Sequence, residues 1–295
     1  MGKPLSTEQI KKAMKENSYI CDDQLAFIIY LSLAMEKPLL LEGEPGVGKT
    51  EVAKVLSGIL GRKLIRLQCY EGLDANATIC EWNYAKQLLK IKTIDVCGPS
   101  YQLDDIFTEE FLIARPLLTA LRSKEKVVLL IDEIDRADEE FEAFLLEILS
   151  DFQITIPEMG TIKAIHKPLV IITSNQVREL HDALKRRCLY HYIDYPDPER
   201  EMAIIKTKIP AINDYLAKKI AGIMTKLRNQ EFYKRPGVSE TLDWSQALTF
   251  LEKEDIDEEV MDLTCGCLFK FKEDVRRFKD MKNEILIESE ADLEE

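Results

Sequence analysis

Apolar and polar positions along the chain switch between two periods. Residues 6–16 and 23–35 place apolar side chains every three or four positions, the spacing of amphipathic helices, and "Thr7-Glu8-Gln9" and "Cys21-Asp22-Asp23" put capping side chains at their starts. "KPLLLEG" is then continuously apolar, as a short strand buried on both faces of a parallel sheet would be, and a helix follows from Lys49. "KLIRLQC", 63–69, reads as the next strand, "EWNYAKQLLKIK", 81–92, as a polar-faced helix or insertion, and "TEEFLIARPLLTAL", 108–121, as another helix. "KVVLLIDEID", 126–135, is a strand ending in acids. "EEFEAFLLEILSDF" has apolar residues at 141, 144, 145, 148, 149 and 152, one face of a helix. "FQITIPEMGTIKA" alternates around a Pro-Glu-Met-Gly turn and predicts a β-hairpin with an exposed Met159 at its tip. "PLVIITSN", 168–175, and "RRCLYHYIDY", 186–195, complete the strand-like runs.

Strands alternating with helices predict an α/β fold on a parallel sheet. "YPDPERE" interrupts the alternation with Pro196 and Pro198, and the remainder of the chain has helical spacing. The expected domains are therefore 1–196, α/β, and 197–295, all-α. No internal repeat is present, and "ESEADLEE" reads as a solvated end.

Composition narrows the function. With 295 residues, 46% hydrophobic and 32% charged, the chain is long enough for a sizeable core and reads as a soluble globular protein. A net charge of -13 argues against broad nucleic-acid binding, which needs a basic surface to release counterions. The polar start "MGKPLSTEQIKKAMKENS" does not resemble a signal peptide, Pro4 disfavours myristoylation at Gly2, and no apolar run approaches a membrane span. The 7 cysteines are odd in number and lack framework spacing, as reduced thiols of a cytoplasmic protein would. "CGC" at 265–267 lacks a second pair at ligand spacing, and His166, His181 and His191 form no spaced metal site; the last two read as structural.

The chemistry gathers in four short stretches. Gly43–Thr50, "GEPGVGKT", fits G-x-x-x-x-G-K-[ST] between a buried strand and a helix. Backbone N–H groups of Gly43, Glu44, Pro45, Gly46, Val47, Gly48, Lys49, Thr50 and Glu51 (Pro45 contributing shape rather than a donor) would wrap phosphate oxygens at the helix N-terminus. Lys49 would bring charge to the β and γ phosphates, and Thr50 a hydroxyl to Mg²⁺. Asp132 and Glu133 close a buried strand, at the edge where ligands of open α/β sheets bind. Asp132 suits Mg²⁺ or its water, and Glu133 a general base on an attacking water. Asn175 ends a third buried strand and reads either as a turn residue or as an amide that orients water or senses the γ-phosphate. Arg186 and Arg187 precede a strand and read either as solvated or as charge supplied to a neighbouring subunit's site.

The order of these pieces resembles an AAA+ ATPase, with Gly43–Thr50 as Walker A, Val127–Glu133 as Walker B, Asn175 as sensor 1 and Arg187 as arginine finger, Arg186 being the second choice. "GLDANATICEWNYAKQLLKIK" looks like a helix-2 insertion and "FQITIPEMGTIKA" like the hairpin before sensor 1. Together they resemble the MoxR branch, and "RLQCYEGLD", "EWNYAKQLL", "IDEIDRADEEFEAFLLEILSDFQITIPEMGTI" and "ALKRRCLYHYIDYPD" look like its CoxD members. That resemblance implies an AAA+ P-loop NTPase fold with an all-α lid, ATP and Mg²⁺ as ligands, and ATP hydrolysis. It also implies a hexameric ring, a von Willebrand A domain partner, and a chaperone-like role in maturing a metal cofactor of a client such as a carbon monoxide dehydrogenase or related molybdenum hydroxylase. One stretch departs from the pattern. Where many members carry a sensor-2 arginine in "S-P-R", "KRPGVSETLDW" has Ser239-Glu240-Thr241, and Arg235 nearby is the candidate to reach the phosphates. Trp244 and Leu248 in the following helix have core spacing.

Three other functions compete. An ATPase acting on DNA, of restriction or helicase-loading type, is disfavoured by the -13 charge. A GTP switch lacks the N-K-x-D guanine-reading motif. A small-molecule kinase does not suit Glu133 and Asn175, which fit activation of water better than of a substrate hydroxyl.

Overall fold

The computed structural model describes residues 5–74, 78–97, 107–156 and 159–294. At its centre five strands run β1 (Leu39–Gly43), β2 (Leu64–Gln68), β5 (Val128–Asp132), β8 (Leu169–Ser174) and β9 (Leu189–Ile193), in the spatial order β2-β5-β8-β1-β9. The pairs β2–β5, β5–β8 and β8–β1 are parallel, with Leu64 opposite Val128, Val128 opposite Leu169 and Leu39 opposite Ile171. Strands β1, β5 and β8 are buried at every position, as strands covered on both faces must be. At the sheet edge, β2 buries only Ile65 and Leu67 while Arg66 and Gln68 stay exposed. Helices between the strands supply the cover. Helix α3 (Lys49–Leu60) follows β1, and α6 (Glu139–Asp151) follows β5. Helix α6 is capped by Asp138, whose carboxylate accepts from the Phe141 N–H at 2.9 Å, and ends where Phe152 turns left-handed at φ 51°.

Two compact units divide the described residues. The first gathers those of 1–10, 24–42 and 53–191 around one core that includes Leu40, Ile131, Phe141, Ile154 and Ile172. It carries two small antiparallel pairs besides the sheet. β3 (Cys80–Trp82) pairs with β4 (Leu112–Ala114), ahead of helices α4 (Tyr84–Cys97) and α5 (Pro116–Leu121) respectively. β6 (Gln153–Ile156) pairs with β7 (Gly160–Lys163), Ile154 opposite Ile162. The second unit gathers 11–23, 43–52 and 192–295. Its core, from helices α8 (Pro198–Lys208) to α12 (Lys272–Glu294), is built on Trp244, Leu248, Ile220, Met261 and Phe278. Trp244 donates from Nε1 to Thr264 Oγ1 at 2.7 Å, so the one polar atom of its indole is satisfied. Among the described residues no helix is long and apolar enough to cross a membrane.

The expectations for the strands hold, and four local expectations change. Residues 108–121 are not one helix. A 3₁₀ turn over Glu109–Phe111 leads into strand β4, and a helix begins only at Pro116, whose ring holds Arg115 extended at φ -93°, ψ 176°. Residues 80–82, at the head of the insertion, are strand because they have β4 to pair with. The cap of α1 (Thr7–Glu16) is Ser6: Gln9 N–H donates to Ser6 Oγ at 3.3 Å and Ser6 N–H to Gln9 Oε1 at 2.8 Å, a reciprocal box one residue before the expected cap. At the hairpin, Pro157 and Glu158 lie outside the described residues, and Met159 is half-buried against the first unit's core rather than exposed.

Candidate active site

In the first unit, the parallel order puts the C-terminal ends of β5 and β8 side by side. Asp132, the last residue of β5, is 1% exposed. Its Oδ1 accepts from Thr173 Oγ1 at 2.6 Å and its Oδ2 from Arg66 Nη2 at 2.5 Å and Nε at 3.0 Å. Glu133 follows in the left-handed region at φ 55°, rare for a residue with a Cβ. Its N–H donates to the same Thr173 Oγ1 at 2.9 Å, so one hydroxyl fixes both acids. The Glu133 carboxylate reaches outward, pairing with Arg136 at 2.8 Å and accepting from Gln68 Nε2 at 3.2 Å. Asp135 is buried and accepts the backbone N–H groups of Asn175 and Val177 on one oxygen, at 3.1 and 2.9 Å. Asn175 is thereby tied, at the end of β8, to the turn that follows β5.

Arg186 and Arg187 sit at the end of the short helix Asp182–Lys185, just before β9. Arg187 is half-buried, donating from Nε to Ser150 Oγ and from Nη1 to Ala183 O at 2.9 Å, whereas Arg186 is exposed. The backbone N–H of His181 donates to the buried Glu142 carboxylate at 2.8 Å.

In the second unit, the loop 43–48 is shaped by glycine. Gly46 and Gly48 take φ of 82° and 94°, which side chains with a Cβ rarely adopt. Lys49 begins α3 and is 6% exposed, its ammonium donating to Gly43 O and Glu44 O at 2.7 Å each. Thr50 is half-buried in the same first turn, and Glu51 faces Lys208 at 3.6 Å. The start of α10 (Val238–Phe250) closes on this loop. Ser239 N–H donates to Gly46 O at 3.2 Å, and a Cβ on Gly237 would stand 2.7 Å from Pro45 O. The Glu240 carboxylate accepts from Gly237 N–H at 2.9 Å, so it braces the turn. Arg235 is exposed in the segment before it. Arg228 holds that segment from below, with its guanidinium on both oxygens of buried Glu201 at 2.6 and 2.7 Å, on Pro236 O at 2.9 Å, and over the Tyr195 ring at 4.6 Å. Burial, with the Glu44 charge adding, pushes the Tyr195 phenol up to about 12.

Beside the loop lies a cavity of about 350 Å³, lined by Tyr19, Ile20, Val47, Ile193, Val238 and Arg200 among others. Its walls are mostly apolar, and the Arg200 Nε that borders it has no hydrogen-bond partner in the structure. Arg200 is anchored through its other nitrogens to Asp22 at 2.7 Å and Ile20 O at 3.3 Å. These lining residues come from four separate stretches, and of those named only Val47 lies in a motif. Sequence reasoning likewise does not reach Arg66, Gln68, Thr173 and Arg136. The one signal for the first two is the polar phase of the alternation in β2.

Among the described residues no group of three or more His, Cys, Asp or Glu forms a metal cage. Asp132 in the first unit and Thr50 in the second each carry a hard oxygen of the kind that binds Mg²⁺. A cationic group already stands on Asp132, namely Arg66, so the carboxylate suits a positive partner.

A family model described as "AAA domain (dynein-related subfamily)" matches residues 38–188. An uncharacterized protein of Staphylococcus haemolyticus is 30% identical over 223 residues, covering 73% of this chain and 78% of its own. One of Staphylococcus saprophyticus is 29% identical over the same length and shares. Among solved structures, the Thermotoga maritima RuvB Holliday junction branch migration motor is similar at 18% identity and a TM-score of 0.46, covering 88% of this chain and 71% of that one.

Proposed function

The chain belongs to the AAA domain family, dynein-related subfamily, and from that premise we propose that it is an ATPase that uses hydrolysis to remodel a client protein. The observation that carries this reading is the presence, in one chain, of an anion-ready loop and a metal-ready acid. Gly46 and Gly48 open the loop 43–51 for close backbone approach, and Lys49 stands buried at its helix. Asp132 and Glu133 close β5 with one carboxylate inward and one outward. ATP would place its phosphates on the loop and its base in the apolar cavity, where the unpartnered Arg200 Nε supplies a donor to a ring nitrogen. Arg235 is the lid residue proposed to reach the phosphates. Thr50 and Asp132 would hold Mg²⁺. When bound, that ion would supply neutralising charge to the phosphates. Glu133 takes the proton of the attacking water, and Asn175, fixed through Asp135, orients that water.

The finer reading rests on the motif order and the strings 66–74, 81–89, 131–162 and 183–197. Residues 1–196 form the ATPase domain and 197–295 its helical lid. The ring is a hexamer completed by the Arg186–Arg187 pair of each neighbour. The role is MoxR-like and CoxD-like: with a von Willebrand A domain partner, the protein assists metal-cofactor maturation of a molybdenum-hydroxylase-type client. Exposure puts Arg186 forward beside Arg187, which is held by Ser150 and Ala183. A net charge of -13 weighs against DNA as the client.

Two variants test the core of this reading. Lys49→Ala is expected to lose ATP binding, because the phosphates lose their charge partner. Glu133→Gln is expected to bind ATP and Mg²⁺ yet hydrolyse roughly 10²–10⁴-fold more slowly. Equal turnover by Glu133→Gln and wild type, in a steady-state phosphate-release assay, removes Glu133 as the base.

A further inference from the structure

Asp132 is occupied in a way that the family motif does not foretell. A buried, ionised carboxylate is expensive unless it is paired. Thr173 serves Oδ1 with a neutral hydroxyl, and Arg66 serves Oδ2 with two N–H groups of one guanidinium. The two partners differ in how firmly they are held. Thr173 lies in β8, 1% exposed, and also fixes the Glu133 backbone. The Arg66 side chain is 49% exposed and springs from β2, the edge strand of the sheet. It can leave Oδ2 for water without disturbing a packed neighbour. Its Nη2 has one further partner, Gln68 Oε1 at 2.5 Å, and Gln68 Nε2 in turn donates to Glu133. A single cation is thus linked, through one amide, to both acids.

We propose that Arg66 is a tethered counter-cation that holds Asp132 until a divalent cation displaces it. Arrival of the metal and release of the Gln68 amide from its Arg66 contact are then one event. The inference rests on the nucleotide-hydrolysing reading above and adds a regulation to that same site. Metal and guanidinium compete for Oδ2, since an oxygen accepting two N–H bonds from one side has no room for a cation in the same place. While the metal is absent, Asp132 stays neutralised and Glu133 stays tied through Gln68 and Arg136. The competition weakens the apparent metal affinity by the fraction of time Arg66 stays away. An Arg66 that occupies Oδ2 about 90% of the time therefore costs about 10-fold in that affinity.

The test uses the full chain as wild type, Arg66→Gln and Arg66→Lys, each checked for a cooperative thermal melt. In the first arm, binding of a fluorescent ATP analogue (mant-ATP) is measured in EDTA by anisotropy. All three proteins should bind it alike, because the loop and Lys49 are untouched. No binding in any of them, with or without metal, overturns the nucleotide reading and this inference with it. In the second arm, Mn²⁺ is titrated against mant-ATP-saturated protein, and free Mn²⁺ is read by electron paramagnetic resonance. Arg66→Gln should bind Mn²⁺ about 10-fold more tightly than wild type. Arg66→Lys keeps the charge but loses the planar fork, and should tighten binding by about 3-fold. Unchanged Mn²⁺ affinity in Arg66→Gln overturns the displacement. So does a lysine variant that matches wild type, because that outcome assigns the whole effect to the field of the charge.

Discussion

The acid-bearing end of β5 and the glycine loop after β1 are built on opposite plans. Around β5 side chains hold side chains: Asp132 has Arg66 and Thr173, and Glu133 has Arg136 and Gln68. In the loop, backbone holds nearly everything. Lys49 donates to two carbonyls, Ser239 N–H meets Gly46 O, and the shape depends on Cβ atoms that are missing at Gly46 and Gly237. The first plan can be retuned one residue at a time while the main chain stays put. The second fails through geometry, since a Cβ added at Gly46 or Gly237 meets the turn 237–240 or the loop backbone. Substitutions in the two regions should therefore fail in different ways, in one by amounts that a conservative side chain partly restores, in the other through backbone fit that no side chain relieves.

The largest expected effect sharpens the first plan by separating charge that holds from charge that acts. Arg187 is spent partly on its own fold through Ser150 and Ala183, while Arg186 is exposed. A guanidinium brought to a phosphoryl transition state is worth on the order of 10³–10⁵ in turnover. Arg186→Ala should lose turnover on that scale with an unchanged melting temperature. Arg187→Ala should lower the melting temperature as well, because two hydrogen bonds go with it. Mixing either variant with Lys49→Ala subunits should restore part of the activity, since an intact arginine of one subunit can serve the intact loop of another. A mixture that assembles yet stays inactive places both arginines outside the neighbour's site.

Next in size is the shared hydroxyl. Thr173→Val keeps shape but takes the donor from Asp132 and the acceptor from the Glu133 N–H. Leaving buried partners unsatisfied costs roughly 1–3 kcal/mol, on the order of 5 °C in melting temperature. Thr173→Ser keeps the hydroxyl and should lose less than half of that. A valine variant that melts with wild type would show that Asp132 and Glu133 do not depend on this residue.

Much of both regions was legible in the sequence, for a physical reason. Strands β1, β5 and β8 are buried on both faces, so their runs of Leu, Val and Ile stand out, and the residues at their ends follow by position. The loop was legible because its φ values demand glycine at set places. The hidden part depends on pairing at a distance. Cys80–Trp82 and Leu112–Ala114 are strands only because each has the other, and neither run has a period of its own. Arg66 reads as an exposed edge residue until its contact 66 positions away is seen. Tyr19 and Arg200 line the cavity from stretches far apart in the sequence.

The second plan is tested at Gly46 and Gly237. At Gly46 the backbone is left-handed at φ 82°, and a Cβ would stand 2.5 Å from Ser239 Oγ, an atom that can turn aside. Gly46→Ala should cost about 1–2 kcal/mol from the backbone alone, and adding Ser239→Ala should recover little. At Gly237 the obstacle is Pro45 O, a backbone atom 2.7 Å from the added Cβ. No side-chain substitution relieves that, so Gly237→Ala should lower the melting temperature whatever stands at 239. Full recovery of Gly46→Ala by Ser239→Ala would assign its cost to side-chain crowding and weaken the contrast between the two regions.

The smallest effect asks whether any side-chain charge matters beside the loop. Glu51 and Lys208 stand 3.6 Å apart, with side chains 37% and 32% exposed. At that exposure solvent and salt screen the attraction, and holding two long side chains costs rotamer freedom, so the pair itself contributes about 0.5 kcal/mol or less. Each partner also meets a helix end. Glu51 sits in the first turn of α3 and Lys208 in the last turn of α8, where a charge of that sign gains roughly 0.3–1 kcal/mol. Lys208→Ala should therefore shift the melting temperature by no more than about 2–4 °C, and 1 M salt should erase most of the shift. Glu51→Gln should cost about as much as Lys208→Ala, because each loses a helix-end term along with the pair. With phosphates on the loop the Glu51 effect should reverse in sign, since the same helix end then serves the ligand's charge. Glu51→Gln should bind mant-ATP as tightly as wild type or more tightly. If Lys208→Ala proves as costly as Thr173→Val at 0.15 M salt, the loop is held by side-chain charge after all, and the contrast between the two regions fails at its clearest point.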